Sequence, residues 1–128
     1  MTREMLETEL SAFPGATFGY PFDATTRVYK VGGKMFALVD DVAEPLAIAL
    51  KCDPEIAVEL RQEYPDVVVP GYHLNKRHWN TVTPNQTVED DDLRDWLTHS
   101  YELVYRSLTR DTRAKITVIS RITTGVAA

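Results

Sequence analysis

The segment Arg27-Val28-Tyr29-Lys30-Val31-Gly32-Gly33-Lys34-Met35-Phe36-Ala37-Leu38-Val39 decides the fold. Two runs of β-forming residues flank Gly32-Gly33, a two-residue turn that can adopt positive φ at both positions. The pattern predicts a β-hairpin that places Tyr29 opposite Phe36 and Val28 opposite Ala37. Further strands are predicted at 17–20, 46–50 and 79–83 from their runs of apolar and β-branched residues.

Two helices are predicted from their end signals. Thr2 is a suitable N-cap for a helix of about ten residues, whose apolar face is formed by Leu6, Leu10 and Phe13. Asp53 and Pro54 fit the N-cap and the first position of a second helix, which is predicted to end near Tyr64. Residues 66–78 show no clear period and are interpreted as a loop.

Thr87 is predicted to cap the longest helix. Four acidic residues fill its first turn, Glu89-Asp90-Asp91-Asp92, and carboxylates there stabilise the positive end of the helix dipole. This acidic group is therefore interpreted as a helix terminus and not as a cation site. The buried stripe of the helix is predicted to comprise Leu93, Trp96, Leu97, Ser100, Val104 and Leu108.

The order of elements predicts an α+β domain in which helices cover one face of an antiparallel sheet. The domain is predicted to span residues 1–110. Residues 111–128 are interpreted as a C-terminal extension, in which 116–119 could form an additional strand.

Composition limits the class of protein. The chain has 128 residues, a net charge of −5 and a single cysteine, Cys52, which excludes an internal disulfide and fits a reducing cytoplasm. It has no apolar run near the roughly 20 residues that cross a bilayer, so no membrane partner is expected. Residues 1–66 carry 12 acidic and 6 basic side chains, whereas residues 67–128 carry 7 and 8. The second half can therefore present a locally basic surface.

The motifs of common enzymes and metal sites are missing from the sequence. It contains no GxSxG, Walker lysine loop, GxGxxG, HExxH or CxxC pattern. His73 and His78 have no nearby third ligand that would complete a zinc site. We therefore expect a monomeric, non-enzymatic protein with no cofactor and no metal.

One segment combines positive charge with aromatic rings: Pro70-Gly71-Tyr72-His73-Leu74-Asn75-Lys76-Arg77-His78-Trp79-Asn80. Lys76 and Arg77 can contact phosphates or carboxylates, and rings can stack on a base. The binding residues predicted here are Tyr72, His73, Asn75, Lys76, Arg77 and Trp79. In a structural alternative, Trp79 anchors the strand, the asparagines satisfy turn backbone and the cations lie in solvent.

The same residues carry a family resemblance. Phe13-Pro14-Gly15-Ala16, Lys51-Cys52-Asp53-Pro54 and the 70–80 motif resemble the MmcQ/YjbR family of small bacterial proteins. The resemblance extends from the first helix to about Leu108. It implies an α+β fold related in topology to CyaY/frataxin and a DNA-binding role.

Two functions are predicted from these observations. The first is a DNA-binding accessory or regulatory protein, in which Lys76 and Arg77, with Lys34 and Arg27, contact phosphate. The second is a module that binds a small anionic ligand or a peptide in a cleft beside the 71–80 segment.

Overall fold

The computed structural model describes residues 1–71 and 74–125, with residues 118–125 described by their backbone alone. It contains a six-stranded antiparallel sheet with the strand order β1-β2-β3-β4-β6-β5 and four helices. In chain order the elements are α1 (Arg3–Ala12), β1 (Thr17–Gly19), β2 (Thr26–Val31), β3 (Lys34–Asp40), β4 (Ile48–Lys51), α2 (Pro54–Glu63), β5 (Val68–Pro70), β6 (Trp79–Val82), α3 (Asp90–Ser107) and α4 (Arg110–Gly125). The predicted α+β class is confirmed.

The hairpin of β2 and β3 forms as predicted, but its two strands pair in a different register. Gly32 and Gly33 have φ of 57° and 82°, so both occupy the left-handed region that glycine tolerates best. Beyond the turn, a bulge between Tyr29 and Lys30 shifts the pairing, and Tyr29 lies opposite Ala37. The predicted pairing of Tyr29 with Phe36 is therefore wrong. A bulge adds one unpaired residue to a strand, which turn length alone does not reveal.

The starts of α1 and α2 follow the predicted caps. The Thr2 hydroxyl accepts a hydrogen bond from the Met5 amide at 3.1 Å, and the Asp53 carboxylate accepts one from the Glu55 amide at 3.0 Å. Each cap satisfies a backbone N–H that has no partner within its helix. These two predictions are confirmed.

The predicted cap of α3 is wrong. Asn85 forms a turn in which its Oδ1 accepts from the Thr87 amide at 2.8 Å and from the Thr87 hydroxyl at 2.6 Å. Because Thr87 is engaged in this turn, the helix begins at Asp90 with Glu89 at the N-cap position. Most of the predicted stripe is buried, but Trp96 is only half-buried, and Tyr101 joins the core.

Two further segments differ from prediction. Residues 116–119 belong to α4 and not to a strand. Thr109 Oγ1 accepts a hydrogen bond from the Thr112 amide at 3.2 Å, and this contact starts the helix. Ile116 on α4 is buried in the core. The interval 66–78, interpreted as a loop, contains the edge strand β5. Pro70 is tolerated there because the missing N–H of a proline on an edge strand faces no partner strand. The boundary at residue 110 stays a prediction.

The core lies between one face of the sheet and the helices. Phe36 on β3 is fully buried between Phe13, Tyr29 and Tyr101, with ring centroids 5.8, 6.3 and 5.4 Å away. The Ser100 hydroxyl on α3 donates to the Phe36 carbonyl at 2.5 Å and accepts from the Lys51 amide at 2.9 Å. These contacts fasten α3 to the centre of the sheet. None of the helices in the described part of the chain could span a lipid bilayer.

Candidate functional site

The turn before β6 is built around Asn75. Its Oδ1 accepts from the Arg77 amide at 2.9 Å, and its carbonyl accepts from the His78 and Trp79 amides at 3.1 and 2.9 Å. An asparagine side chain that bonds the backbone two residues on forms an Asx turn. Asn75 is exposed, but its polar groups already stabilise the turn.

The turn presents Lys76 and Arg77 to solvent. Both side chains are exposed, and Lys76 Nζ donates to the Gly71 carbonyl at 3.4 Å. In residues 1–71 and 74–117 neither cation forms an ion pair with a carboxylate. Their charges are therefore available to an anionic partner.

Trp79 lies inside the protein and not on its surface. It is 8% exposed and pairs with Lys51 of β4. The Gly71 amide donates to the Trp79 carbonyl at 2.8 Å, and a Cβ at Gly71 would lie only 2.9 Å from Trp79 Cβ. This close approach requires glycine at position 71. Because Trp79 is buried, little of its indole surface is left for stacking. Tyr72 and His73, also predicted as binding residues, lie outside the described residues.

Arg61 of α2 connects the turn to the sheet. Its Nε donates to Asn80 Oδ1 at 2.7 Å, and its Nη2 donates to the carbonyls of Lys76 and, at 3.4 Å, Trp79. Arginine suits this role because its planar fork holds several donors in fixed directions. Sequence reasoning did not identify Arg61, which was visible only as a basic residue in the last turn of α2.

Beside Asn80 the structure contains a cavity of about 190 Å³ between α2, α3 and the sheet, which we call the α2–α3 cavity. Its walls are mainly apolar and are formed by Leu50, Ile56, Leu60, Val82 and Trp96. Polar or charged residues also line it: Lys51, Cys52, Asn80, Asp95 and His99. An apolar pocket with a few convergent polar groups is typical of small-molecule sites.

Asn80 is the unusual residue of this cavity. It is 2% exposed, and its Nδ2 has no hydrogen-bond partner within the described part of the chain. Arg61 can only donate, so the atom of the amide that faces it is Oδ1. A buried amide N–H without a partner costs free energy, and such groups are rare in proteins. A bound acceptor would relieve this cost.

Two further groups define the chemistry of the cavity. Burial raises the pKa of the Cys52 thiol to about 11, with the nearby Asp53 acting in the same direction and Arg61 opposing it. Cys52 is therefore an uncharged thiol at neutral pH, which argues against a thiolate nucleophile. His99 Nε2 accepts from the Asp53 amide at 3.1 Å and so joins α3 to the start of α2.

A second depression of about 530 Å³ lies on the face of the sheet that carries no helices and is lined in part by Phe22, Leu38 and Ala49. It is larger than the α2–α3 cavity. Among the described residues, the buried side-chain atoms that lack a hydrogen-bond partner belong to Tyr29, Asp41 and Asn80. None of these three residues lines this depression. We therefore regard the smaller α2–α3 cavity as the candidate site.

Charge is distributed unevenly along the strands. One end of the sheet is where β3 begins, β4 ends and β6 begins. This end therefore carries four cations: Lys34, Lys51, Lys76 and Arg77. Lys34 Nζ contacts the Ser107 carbonyl at the end of α3, at 3.4 Å. Lys51, at this end of the sheet, also lines the α2–α3 cavity.

Arg27 lies at the opposite end of the sheet, where Thr26 pairs with Asp40. Its guanidinium lies 3.5 Å from Glu7 and 3.5 Å from Asp41, and it also covers the ring of Phe18. Arg27 is thus neutralised and remote from the turn.

Comparison with known proteins places this structure in a family. The YjbR family model matches residues 11–103, which include the core strands, the turn and most of α3. The chain belongs to the YjbR family. It is 34% identical over 115 residues to the uncharacterised protein YbdF of Escherichia coli O157:H7, covering 90% of this chain and 91% of that one. The uncharacterised YjbR of Escherichia coli K12 is 34% identical over 113 residues, covering 88% and 95%.

A solved structure shares the fold of this YjbR-family chain. The Deinococcus radiodurans protein DR2400, with domain DUF419, superposes with a TM-score of 0.85 at 40% identity, covering 91% of this chain and 88% of that one. The predicted YjbR resemblance is therefore confirmed. The topological relation to frataxin and the DNA-binding role stay predictions.

Proposed function

We propose that this YjbR-family protein is a non-enzymatic module that binds a small molecule in the α2–α3 cavity. The observation that supports the proposal most strongly is a buried Asn80 Nδ2 that has no partner among the described residues, on a side chain that lines an apolar cavity. The apolar walls supply burial energy, and a fixed amide donor supplies orientation. Asn80 is the residue of the 71–80 segment that lines the cavity, so the proposed site differs from the cleft beside that segment that the sequence predicted.

Blocking the cavity tests this proposal. Ile56 lines it and is 40% exposed, so Ile56→Trp places an indole at its rim. We expect ligand affinity to fall about tenfold or more, equivalent to about 1.4 kcal/mol. Ligand-observed NMR with a library of monocyclic fragments measures this loss.

Val58→Trp is the matched control for Ile56→Trp. Val58 is 48% exposed on the same helix and does not line the α2–α3 cavity. It should leave fragment binding unchanged. A failure of every fragment to bind the unmodified protein, or equal binding by both tryptophan variants, would contradict the proposal.

DNA binding is the second candidate function, and the cationic end of the sheet favours it. Lys34, Lys51, Lys76 and Arg77 lie there, and phosphate contacts supply most of the affinity for DNA. With about three phosphate contacts, log affinity should fall against log salt with a slope near −3. Fluorescence anisotropy with duplex DNA at several salt concentrations measures this slope.

The double variant Lys76→Ala plus Arg77→Ala should reduce that slope by about 2. Arg110→Ala plus Lys115→Ala removes the same charge from exposed positions of α4 and controls for net charge. Binding that responds equally to both double variants, or no binding at low salt, argues against a DNA interface at the turn.

A further inference from the structure

We infer that the ligand of the α2–α3 cavity is a compact apolar carboxylate, which Asn80 Nδ2 recognises by donating to a carboxylate oxygen. This inference rests on the proposed ligand-binding function and adds the chemical class of the ligand. It follows from the hydrogen-bonding capacity of Asn80, the positive charge behind it and the size of the cavity.

The atom of Asn80 that has no partner among the described residues is a donor, Nδ2. Oδ1 already accepts from Arg61 Nε at 2.7 Å, so the unmet hydrogen-bonding capacity of this side chain lies mainly in its N–H groups. Donation by a cation to Oδ1 also polarises the amide, because linked hydrogen bonds strengthen one another. A ligand must therefore bring an acceptor to this position.

Positive charge behind the amide favours an anionic acceptor over a neutral one. The Arg61 guanidinium makes its hydrogen bonds to an amide oxygen and to carbonyls, and it forms no ion pair with a carboxylate among the residues described. Arg61 acts to lower the pKa of Cys52 in the cavity wall, although burial and the neighbouring Asp53 raise it more strongly. A buried anion is tolerated where it is paired with such a charge.

The other ionisable groups around the cavity are consistent with this class. Lys51 adds a cation at the same end of the sheet, and Cys52 is uncharged. His99 uses Nε2 as an acceptor for the Asp53 amide, so the ring nitrogen left to donate is Nδ1. Asp95 is the one carboxylate of the described lining, and it is exposed to solvent, which screens its charge.

The volume limits the size of the apolar part. An apolar cavity of about 150 Å³ holds benzene, so the 190 Å³ found here fits one six-membered ring with a carboxylate. Trp96 and the aliphatic walls contact the ring, and the carboxylate points to Asn80. Benzoate is a suitable probe of this class.

The test compares three probes of the same shape on the unmodified protein and on Asn80→Asp. Aspartate keeps an oxygen for Arg61 but replaces the amide donor by a second carboxylate oxygen, which repels an anion. Isothermal titration should show benzoate binding more tightly than benzamide and benzylamine. Asn80→Asp should weaken benzoate at least about tenfold and benzamide less, since benzoate is an anion and benzamide is neutral. A thermal melt of the variant checks its folding.

The outcomes separate this inference from the proposed function. If benzamide or benzylamine binds more tightly than benzoate, and Ile56→Trp blocks that binding, the carboxylate class is overturned. The proposed ligand-binding function then remains intact. Benzoate binding that Asn80→Asp does not weaken also overturns the carboxylate class. The absence of binding by every probe and fragment removes both proposals together.

Discussion

Replacing Phe36 with alanine is expected to lower the free energy of unfolding by about 3 to 5 kcal/mol. Phe36 is fully buried, and its ring contacts those of Phe13 and Tyr101 edge to face, at interplanar angles of 84° and 86°. The substitution removes apolar burial and leaves a void that these rings, attached to different elements, cannot fill. Urea denaturation followed by far-UV circular dichroism measures the change.

Phe22→Ala is the control for this substitution. Phe22 is 64% exposed on the helix-free side of the sheet, so its truncation should change stability by less than about 1 kcal/mol. A loss below about 1.5 kcal/mol at Phe36, or an equal loss at both positions, would show that the aromatic cluster is not the centre of the core.

Replacing Arg61 with methionine is expected to cost about 1 to 3 kcal/mol of unfolding free energy. Methionine keeps the apolar stem but leaves Asn80 Oδ1 buried without a donor. It also releases the Lys76 carbonyl and with it the turn before β6. We expect faster hydrogen exchange of the Trp79 amide, which bonds Asn75 in that turn.

Two variants sharpen the Arg61 result. Arg61→Lys retains the charge but lacks the planar fork of donors. Its free energy of unfolding should therefore lie between those of the wild type and Arg61→Met. Gln62→Met changes an exposed neighbour on α2 and should be nearly neutral. A loss at Arg61→Met no greater than at Gln62→Met contradicts a bridging role for Arg61.

Local sequence signals predicted those elements whose causes are themselves local. Gly32-Gly33 indicated the hairpin, and Thr2 and Asp53 indicated the helix starts, since each feature depends on residues within a few positions. Thr87 is not the cap because it lies in the turn that Asn85 forms, and the helix begins three residues later, at Asp90. Residues 116–119 suggested a strand from β-branched composition, but strand formation needs a partner, and Thr109 instead starts a helix.

The candidate site was only partly predictable, because most of its contacts join residues that are far apart in the sequence. The exposed cations Lys76 and Arg77 were evident from the sequence. The Arg61–Asn80 hydrogen bond joins residues 19 positions apart on a helix and a strand, and the cavity needs both α2 and α3 on the sheet. No short pattern encodes such a contact, so Asn80 was interpreted only as a turn residue.

The side-chain amide of Asn80 provides the most direct measurement of the central claim. In a ¹⁵N-labelled sample titrated with benzoate, the Asn80 Nδ2 resonances should shift saturably, together with the indole N–H of Trp96 in the cavity wall. The exposed side-chain amide of Gln62 should not move. A titration that leaves the Asn80 amide unchanged while other resonances shift would contradict ligand recognition by Asn80.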